Sequence, residues 1–546
     1  MDHIINKENI NGLAFILLFL LFNVFYCAAG DRQTTLRYNI IPTPMEIRTD
    51  SGYFEITNKT AVITTAVGVE ATDYLIQRIK KVAGLNLAEL SGGPDSKIEF
   101  VIDTSFGSMG KESYSLLISE RAITIRAADR PGFLYAVQTM IQLLPPELVG
   151  ETKQDNISLK LPCVYIKDTP KYKWRSFMLD SGRQFQTKEF IKRYLDYLAM
   201  LKMNVFHWHL TEGQGWRIEI KKYPKLTEIG SRVADGGEQQ GYYSQEDIRE
   251  IVEYAKKLCI TVAPEIDVPG HSEAALIAYP ELTCFGKKPE TVMEYSPILF
   301  CGGRESTYKF LQDILDEVCD LFPGEYIHLG GDEAPKDVWD LCSVCQSKIL
   351  DEGLRNSHEL QIYFSSRLAD YLKGKGRKVI LWGDVVEHGG PLLPDNVIIY
   401  WWNYRKKHDA AYRAAVEMGY PIICGTNYYT YLNFPVTPWA RYQGDRTFDM
   451  RQAYESNPSD LSKPSKLVLG MGTCLWTDWY VKMYMIDQRV FPRLLVLAQQ
   501  MWSTEDKIPF PEFSEGVKRF YPRLKALGIQ YGPALKEEVP VGYKWE

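Results

Sequence analysis

Asp332 and Glu333 stand side by side after Ile327-His328-Leu329-Gly330-Gly331. Two carboxylates just past an apolar strand and a glycine turn are not core residues; they face solvent, a ligand or each other. Like charges this close cannot both ionise cheaply, so one of the pair is expected to hold a proton near neutral pH, as a general acid must. An isolated pair of this kind is usually a solvated loop tip, and its meaning depends on what the chain brings beside it. A second pattern with chemical content is His207-Trp208-His209. Residues i and i+2 of a strand point the same way, and such histidine pairs bind divalent metals in some barrel hydrolases.

The elements that must position these residues follow a clear rhythm. After Asp168-Thr169-Pro170, short apolar strands alternate with amphipathic helices, the signature of parallel βα units. Eight strands are expected: Trp174–Leu179, Asn204–His209, Thr261–Glu265, Tyr326–Leu329, Val379–Trp382, Val397–Tyr400, Pro421–Cys424 and Leu467–Trp476. That pattern predicts an α/β chain with a (β/α)8 TIM barrel over residues 168–546, whose active site lies at the C-terminal ends of the strands. Residues 31–167 read as a smaller α+β domain. Its expected elements include a helix over Glu70–Val82 stopped by Gly84, a hairpin of Tyr114–Ile118 with Ala122–Ile125, and a helix from Gly132 to Leu144.

Polar and aromatic residues gather where this layout places a site. Asp180 and Arg183 follow the first barrel strand; His207, His209 and Glu212 end the second; Glu265, Asp267 and His271 end the third. Asp332 and Glu333 end the fourth, Trp382 and Asp384 the fifth, Trp401 and Trp402 the sixth; Tyr431 follows the seventh, and Trp476 and Asp478 end the eighth. Ordinary surface residues would scatter over both ends of a barrel. Two enzyme chemistries fit. A metal-dependent hydrolase would use His207 and His209, but the fifth and sixth strand ends carry tryptophan where further ligands belong. A glycosidase would use Trp382, Trp402 and Trp476 as an apolar wall, with Arg183, Asp384 and Asp478 binding hydroxyls. Ordinary glycosidases take their two carboxylates from separate strands. Adjacent carboxylates instead suit a reaction in which the substrate supplies its own nucleophile.

Several long motifs, in order, resemble the β-N-acetylhexosaminidases of glycoside hydrolase family 20. They are Asp180-Ser-Gly-Arg183, the run from Lys202 through His207-Trp-His209 to Trp216-Arg217, Pro264-Glu-Ile-Asp267-Val-Pro-Gly-His271, His328-Leu-Gly-Gly-Asp332-Glu333 and Leu475-Trp476-Thr-Asp478. The resemblance covers about residues 36 to 505 and implies an exo-acting, retaining hydrolysis of terminal β-linked GlcNAc or GalNAc through an oxazolinium ion. It implies Glu333 as general acid and then base, Asp332 as the group that receives the 2-acetamido N–H, and Tyr431 as donor to the acetamide carbonyl. Trp382, Trp402 and Trp476 would enclose the sugar, Arg183 and Asp478 would hold its outer hydroxyls, and Asp267, His271 and His209 would support the carboxylates. Glu212 stands where that family usually has Asp, Asp384 and Asp478 where it has Glu, and Asn433 where Asp follows the tyrosine. Tyr428 and Tyr429 compete with Tyr431, and Trp401 with Trp402. A catalytically silent glycan-binding protein on the same scaffold would lack the acid, whereas Glu333 is present.

Composition narrows the field further. The chain has 546 residues, 45% of them hydrophobic, and a net charge of −6 without basic runs, which argues against nucleic acid as a partner. An apolar run from Leu13 to Phe25 precedes Cys27-Ala28-Ala29-Gly30. It is too short to span a bilayer, so the expectation is a signal peptide over residues 1–29, cleaved near Ala29 to leave an exported protein, with lipidation at Cys27 the lesser alternative. Of ten cysteines, nine would remain, so at least one is unpaired or intermolecular. Cys284 and Cys301 bracket a loop and are a possible pair in an oxidising compartment. Cys342-Ser343-Val344-Cys345 has the spacing of half a zinc site, yet no second pair follows it. A local disulfide or two thiols is expected there, and no metal or other cofactor is assigned.

Overall fold

A computed structural model describes residues 40–89, 96–232, 240–289, 298–403, 409–437, 447–456, 465–478, 481–504 and 508–543. The leader expected at residues 1–29, with Cys27, lies outside them. No helix among the described residues is long and apolar enough to cross a membrane.

Contacts divide the chain into two units. The first comprises residues up to Thr169 together with Ser503–Gly528. Its sheet has seven strands: β1 (Glu46–Glu55), β2 (Ala61–Ile63), β3 (Ala88–Glu89), β4 (Lys97–Ile102), β5 (Tyr114–Ile118), β6 (Ala122–Ala127) and β7 (Lys160–Asp168), in the order β1-β7-β5-β6-β4-β2-β3. Alternation sets the buried face, so Ile98 and Phe100 of β4 are buried while their neighbours are not. The helix Val69–Ala83 buries Leu75, Ile79 and Val82 and ends at Gly84, whose φ of +70° is the left-handed cap that glycine allows. Asp129 caps the helix Arg130–Leu143 by accepting from the Gly132 amide. The helix Phe510–Ala526 belongs to this unit, although the sequence pattern assigns everything after residue 168 to the barrel. Its Arg523 donates to the carbonyls of Gln142 and Leu144 at 2.5 and 2.6 Å, filling the acceptors that the end of Arg130–Leu143 leaves open.

The second unit, residues 170–502 and 529–546, is the expected barrel. Its strands are β8 (Trp174–Asp180), β9 (Val205–His209), β12 (Thr261–Glu265), β13 (Tyr326–His328), β14 (Lys378–Trp382), β15 (Val397–Trp401), β16 (Ile422–Cys424) and β17 (Val468–Leu475). A short hairpin, β10 (Thr211–Glu212) with β11 (Gly215–Trp216), follows β9. The eight barrel strands pair in parallel and close as β8-β9-β12-β13-β14-β15-β16-β17. Register matters more than strand limits for the site. Asp180 pairs with His209, His209 with Glu265, and Glu265 with His328, so one level of the barrel gathers four polar residues from four successive strands.

Candidate active site

The turn after β13 shows why glycine precedes the paired carboxylates. Gly330 and Gly331 have φ of +63° and +100°, and a Cβ on Gly330 would lie 1.7 Å from Asp267 Oδ1. The backbone therefore packs directly on Asp267, and the Gly331 amide donates to Asp267 Oδ1 at 3.0 Å. Glu333 itself is left-handed at φ +49°, a conformation that non-glycine residues seldom adopt away from functional sites. Its amide donates to Asp384 Oδ1 at 3.3 Å. This geometry separates two neighbours in sequence into different environments, with side-chain exposures of 12% for Asp332 and 34% for Glu333. Asp332 Oδ1 and Asp267 Oδ2 are buried oxygens with no hydrogen-bond partner among the described residues.

Below the pair lies a network of imidazoles and carboxylates. Glu265 Oε2 accepts from His207 Nε2 at 2.8 Å and His209 Nδ1 at 2.5 Å, and Oε1 accepts from Trp382 Nε1 at 2.8 Å. His209 reaches on to Glu212 Oε1 at 3.3 Å; Glu212 Oε2 accepts from His271 Nδ1 at 3.2 Å. His271 Nε2 then stands 3.7 Å from Asp332 Oδ2 and 3.8 Å from Glu333 Oε2. On the other side, Arg183 bridges Asp180 at 3.1 Å and Glu212 at 2.7 Å, and lies over the Trp476 ring at 5.0 Å. Asp180 is thereby spent on Arg183 and on the Thr477 amide, at 3.1 Å. His207 and His209 are committed to Glu265 in the same way, so the metal-hydrolase arrangement has no free pair of ring nitrogens to start from.

Tryptophans close the opposite side. Trp382 and Trp476 lie 6.0 Å apart at 45°, and Trp402 stacks with Tyr431 at 6.3 Å and 13°. Tyr431 is buried and also meets Trp476 at 6.1 Å, whereas Tyr428 and Tyr429 are only half-buried. Trp401 is fully buried against Tyr412, facing away from that group. Trp402 Nε1 donates to Asp384 Oδ2 at 2.6 Å, and Asn433 Nδ2 to Asp478 Oδ1 at 3.2 Å. The residues singled out in the sequence thus come together. Glu265 and Glu212 turn out to be the hubs of the site, though only their places at strand ends pointed to them. No periodicity or spacing announces that a carboxylate will be shared by two histidines.

Electrostatics divides the acids into two kinds. Burial raises Asp332 well above the usual carboxylate range, and the nearby Asp267 adds to this while His271 opposes it. Burial lifts Asp267 to about 7 and Asp384 to about 6. Burial acts on Glu265 and Glu212 as well, yet His209 holds Glu265 well below its ordinary value, and Arg183 with His271 does the same for Glu212. His271 is pushed well above its own ordinary value, against burial, by Glu212 and Asp332, so it stands as an imidazolium between the acids. The shift on Asp332 therefore comes mainly from burial and Asp267, with the adjacent Glu333 among the smaller influences.

Residues 37–169 match the family model for domain 2 of glycosyl hydrolase family 20, and residues 172–505 match the model for that family's catalytic domain. A β-hexosaminidase of Porphyromonas gingivalis is 37% identical over 92% of this chain, which spans 65% of that relative's length. The crystal structure of a Bacteroides fragilis β-N-acetylhexosaminidase superposes with a TM-score of 0.84 at 47% identity, covering 93% of this chain and 99% of that one. A Vibrio harveyi exo-β-N-acetylglucosaminidase in complex with N-acetylglucosamine superposes with a TM-score of 0.80 at 27% identity, over 91% of this chain and 79% of the other. Matched by both models over most of its length, the chain belongs to glycosyl hydrolase family 20 and carries both its domain 2 and its catalytic domain.

Proposed function

We propose that the protein is an exo-acting β-N-acetylhexosaminidase that releases terminal, non-reducing β-linked N-acetylhexosamine with retention, using the substrate's acetamide as nucleophile. The observation that carries this reading is the split of the Asp332–Glu333 pair into a half-exposed and a buried carboxyl, the buried one offering an unpartnered oxygen. Glu333 protonates the glycosidic oxygen as the C1–O bond breaks, while the acetamide oxygen bonds to C1. Asp332 gives up its proton to solvent as the acetamide N–H fills its open acceptor, and the carboxylate so formed balances the oxazolinium charge. Tyr431 donates to the acetamide oxygen. Trp382, Trp402 and Trp476 exclude water around the ring, and Arg183, Asp384 and Asp478 hold its hydroxyls. Glu333, now a carboxylate, takes a proton from the water that attacks C1 and reopens the ring, so the β-anomer returns.

His271 keeps a positive charge near both acids, and Asp267 and His209 support it. Beyond His271, the buried Asp332 gains a second cationic partner when the oxazolinium forms, so the interaction strengthens towards the transition state. The test is hydrolysis of matched chromogenic β-N-acetylglucosaminides and β-glucosides. Activity confined to the N-acetyl sugar, with strong inhibition by a thiazoline mimic of the cyclised intermediate, is expected; equal turnover of both sugars would remove the substrate-assisted reading. No turnover of either, with glycan binding intact, would favour a silent lectin-like protein. The run Leu13–Phe25 supports export with cleavage near Ala29, which N-terminal sequencing of the mature protein checks.

A further inference from the structure

Four cysteines with no part in the proposed reaction converge on one point of the barrel unit. Cys284 and Cys301 both lie between the helix Glu273–Ala278 and the helix Glu305–Leu321; Cys342 is the N-cap of the helix Ser343–Asp351, and Cys345 lies in its first turn. The Sγ atoms are 3.8 Å apart for Cys284 and Cys345, 3.6 Å for Cys301 and Cys345, and 4.0 Å for Cys301 and Cys342, and all four lie within 4.8 Å of one another. None is more than 5% exposed, and Leu299, Trp339, Ile349 and Leu360 wall them in.

Thiols are weak donors and weak acceptors, so four of them packed together gain little from each other. A disulfide requires sulfurs about 2.05 Å apart, and none of these pairs is bonded. Zinc held by four thiolates at about 2.3 Å sets the edges of its tetrahedron at about 3.8 Å, the value about which the three separations scatter. The N-terminus of Ser343–Asp351 adds a favourable partial positive charge beside Cys342 and Cys345. We propose that Cys284, Cys301, Cys342 and Cys345 bind one structural zinc ion, each thiol releasing its proton to solvent and no electron changing hands. The other half of the set, Cys284 and Cys301, precedes Cys342 in the chain, so the spacing after Cys345 gives no sign of it, and the proposed ion departs from the expectation that no metal is bound.

The location gives the ion a task. The Phe300 amide donates to Pro269 O at 3.0 Å, and Trp339 Nε1 donates to Phe300 O at 3.0 Å. Pro269 lies between Asp267 and His271, and Ala334, which packs in the same cluster, follows Glu333 directly. Zinc would pin together the two loops that carry Asp267 with His271 and Asp332 with Glu333.

The full chain, purified without chelator, should contain about one zinc per molecule, with X-ray absorption showing four sulfurs near about 2.3 Å. Peptide mapping under non-reducing conditions should find no disulfide among the four. Cys345→Ser and Cys301→Ser should each lower the zinc content several-fold, whereas Cys163→Ser should keep it. Should the serine variants fail to fold, the wild-type protein still decides: stripping zinc with a strong chelator should expose four newly reactive thiols, lower the Tm, and reduce activity until zinc is restored. Two disulfides among these residues in a metal-free isolate, or a reduced protein that takes up no zinc, would overturn the proposal. The red absorption of an iron tetrathiolate would overturn the choice of zinc.

Discussion

Two groups of buried acids in this barrel meet the same loss of water with opposite results. Glu265 and Glu212 are held well below their ordinary range, because imidazoles and the Arg183 guanidinium surround them. Asp332, Asp267 and Asp384 are pushed up by burial, which His271 offsets only in part for the first two and the hydrogen bonds from Trp402 and the Glu333 amide only in part for the third. Burial raises every one of them; the supply of cations decides the outcome. The first group is complete as folded and serves as framework. The second has too little positive charge to offset its burial, and a cationic transition state is the partner that would supply more.

The largest break in this comparison comes from Glu333→Gln. Substrate binding should survive, while kcat on an unactivated disaccharide falls by about three orders of magnitude or more, because an amide cannot protonate the leaving oxygen. Substrates with good leaving groups should lose less. Near-normal turnover of the disaccharide would take the acid role away from Glu333.

Asp332→Asn asks whether the raised carboxyl acts as an anion. The amide resembles the neutral carboxyl favoured in the free enzyme, so if that form were the working one, little would change. We expect kcat to fall by about 10²- to 10³-fold, because the oxazolinium then has no countercharge. Rapid-quench kinetics with NMR of the first-formed anomer checks both rate and stereochemistry.

Glu265→Gln attacks the framework group instead. Removing its charge leaves the buried His209 without its main counterion and should destabilise the barrel by about 3 kcal/mol, read as a drop in Tm. An unchanged Tm would show that the hub does not hold the fold.

Asp267→Asn gives the smallest and most pointed effect. A carboxyl lifted from 3.8 to about 7 on folding binds more protons folded than unfolded, so the stability linked to it is present at low pH and is lost as pH rises through that window. The variant has no such loss, so its stability relative to wild type should rise by about 2 kcal/mol between pH 5 and pH 8. Melting curves at the two pH values test the sign. A gain that is larger at pH 5 would contradict the raised pKa.

Much of the barrel was legible because parallel strands buried on both faces read as short apolar runs, and their polar ends stand out against them. All eight expected strands are present, with no limit moved by more than one residue. The helix Phe510–Ala526 was not legible as part of the first unit, since its amphipathic pattern says that it packs but not on what. The hubs Glu265 and Glu212 were visible only as members of a crowd, because a carboxylate's partners come from other strands through register.

The sequence by itself determined the βα rhythm, the glycine turn before Asp332, and the residue types available at each strand end, because periodicity, backbone freedom and side-chain chemistry are local properties. The tertiary structure decided the rest. It separated Asp332 from Glu333 by turning one inward, stacked Trp402 with Tyr431 while burying Trp401 against Tyr412, and brought Cys284 and Cys301 up to Cys342 and Cys345. Those outcomes depend on which distant groups share a space of a few ångströms, and that sharing sets both the electrostatic environment of a carboxyl and the company a thiol keeps.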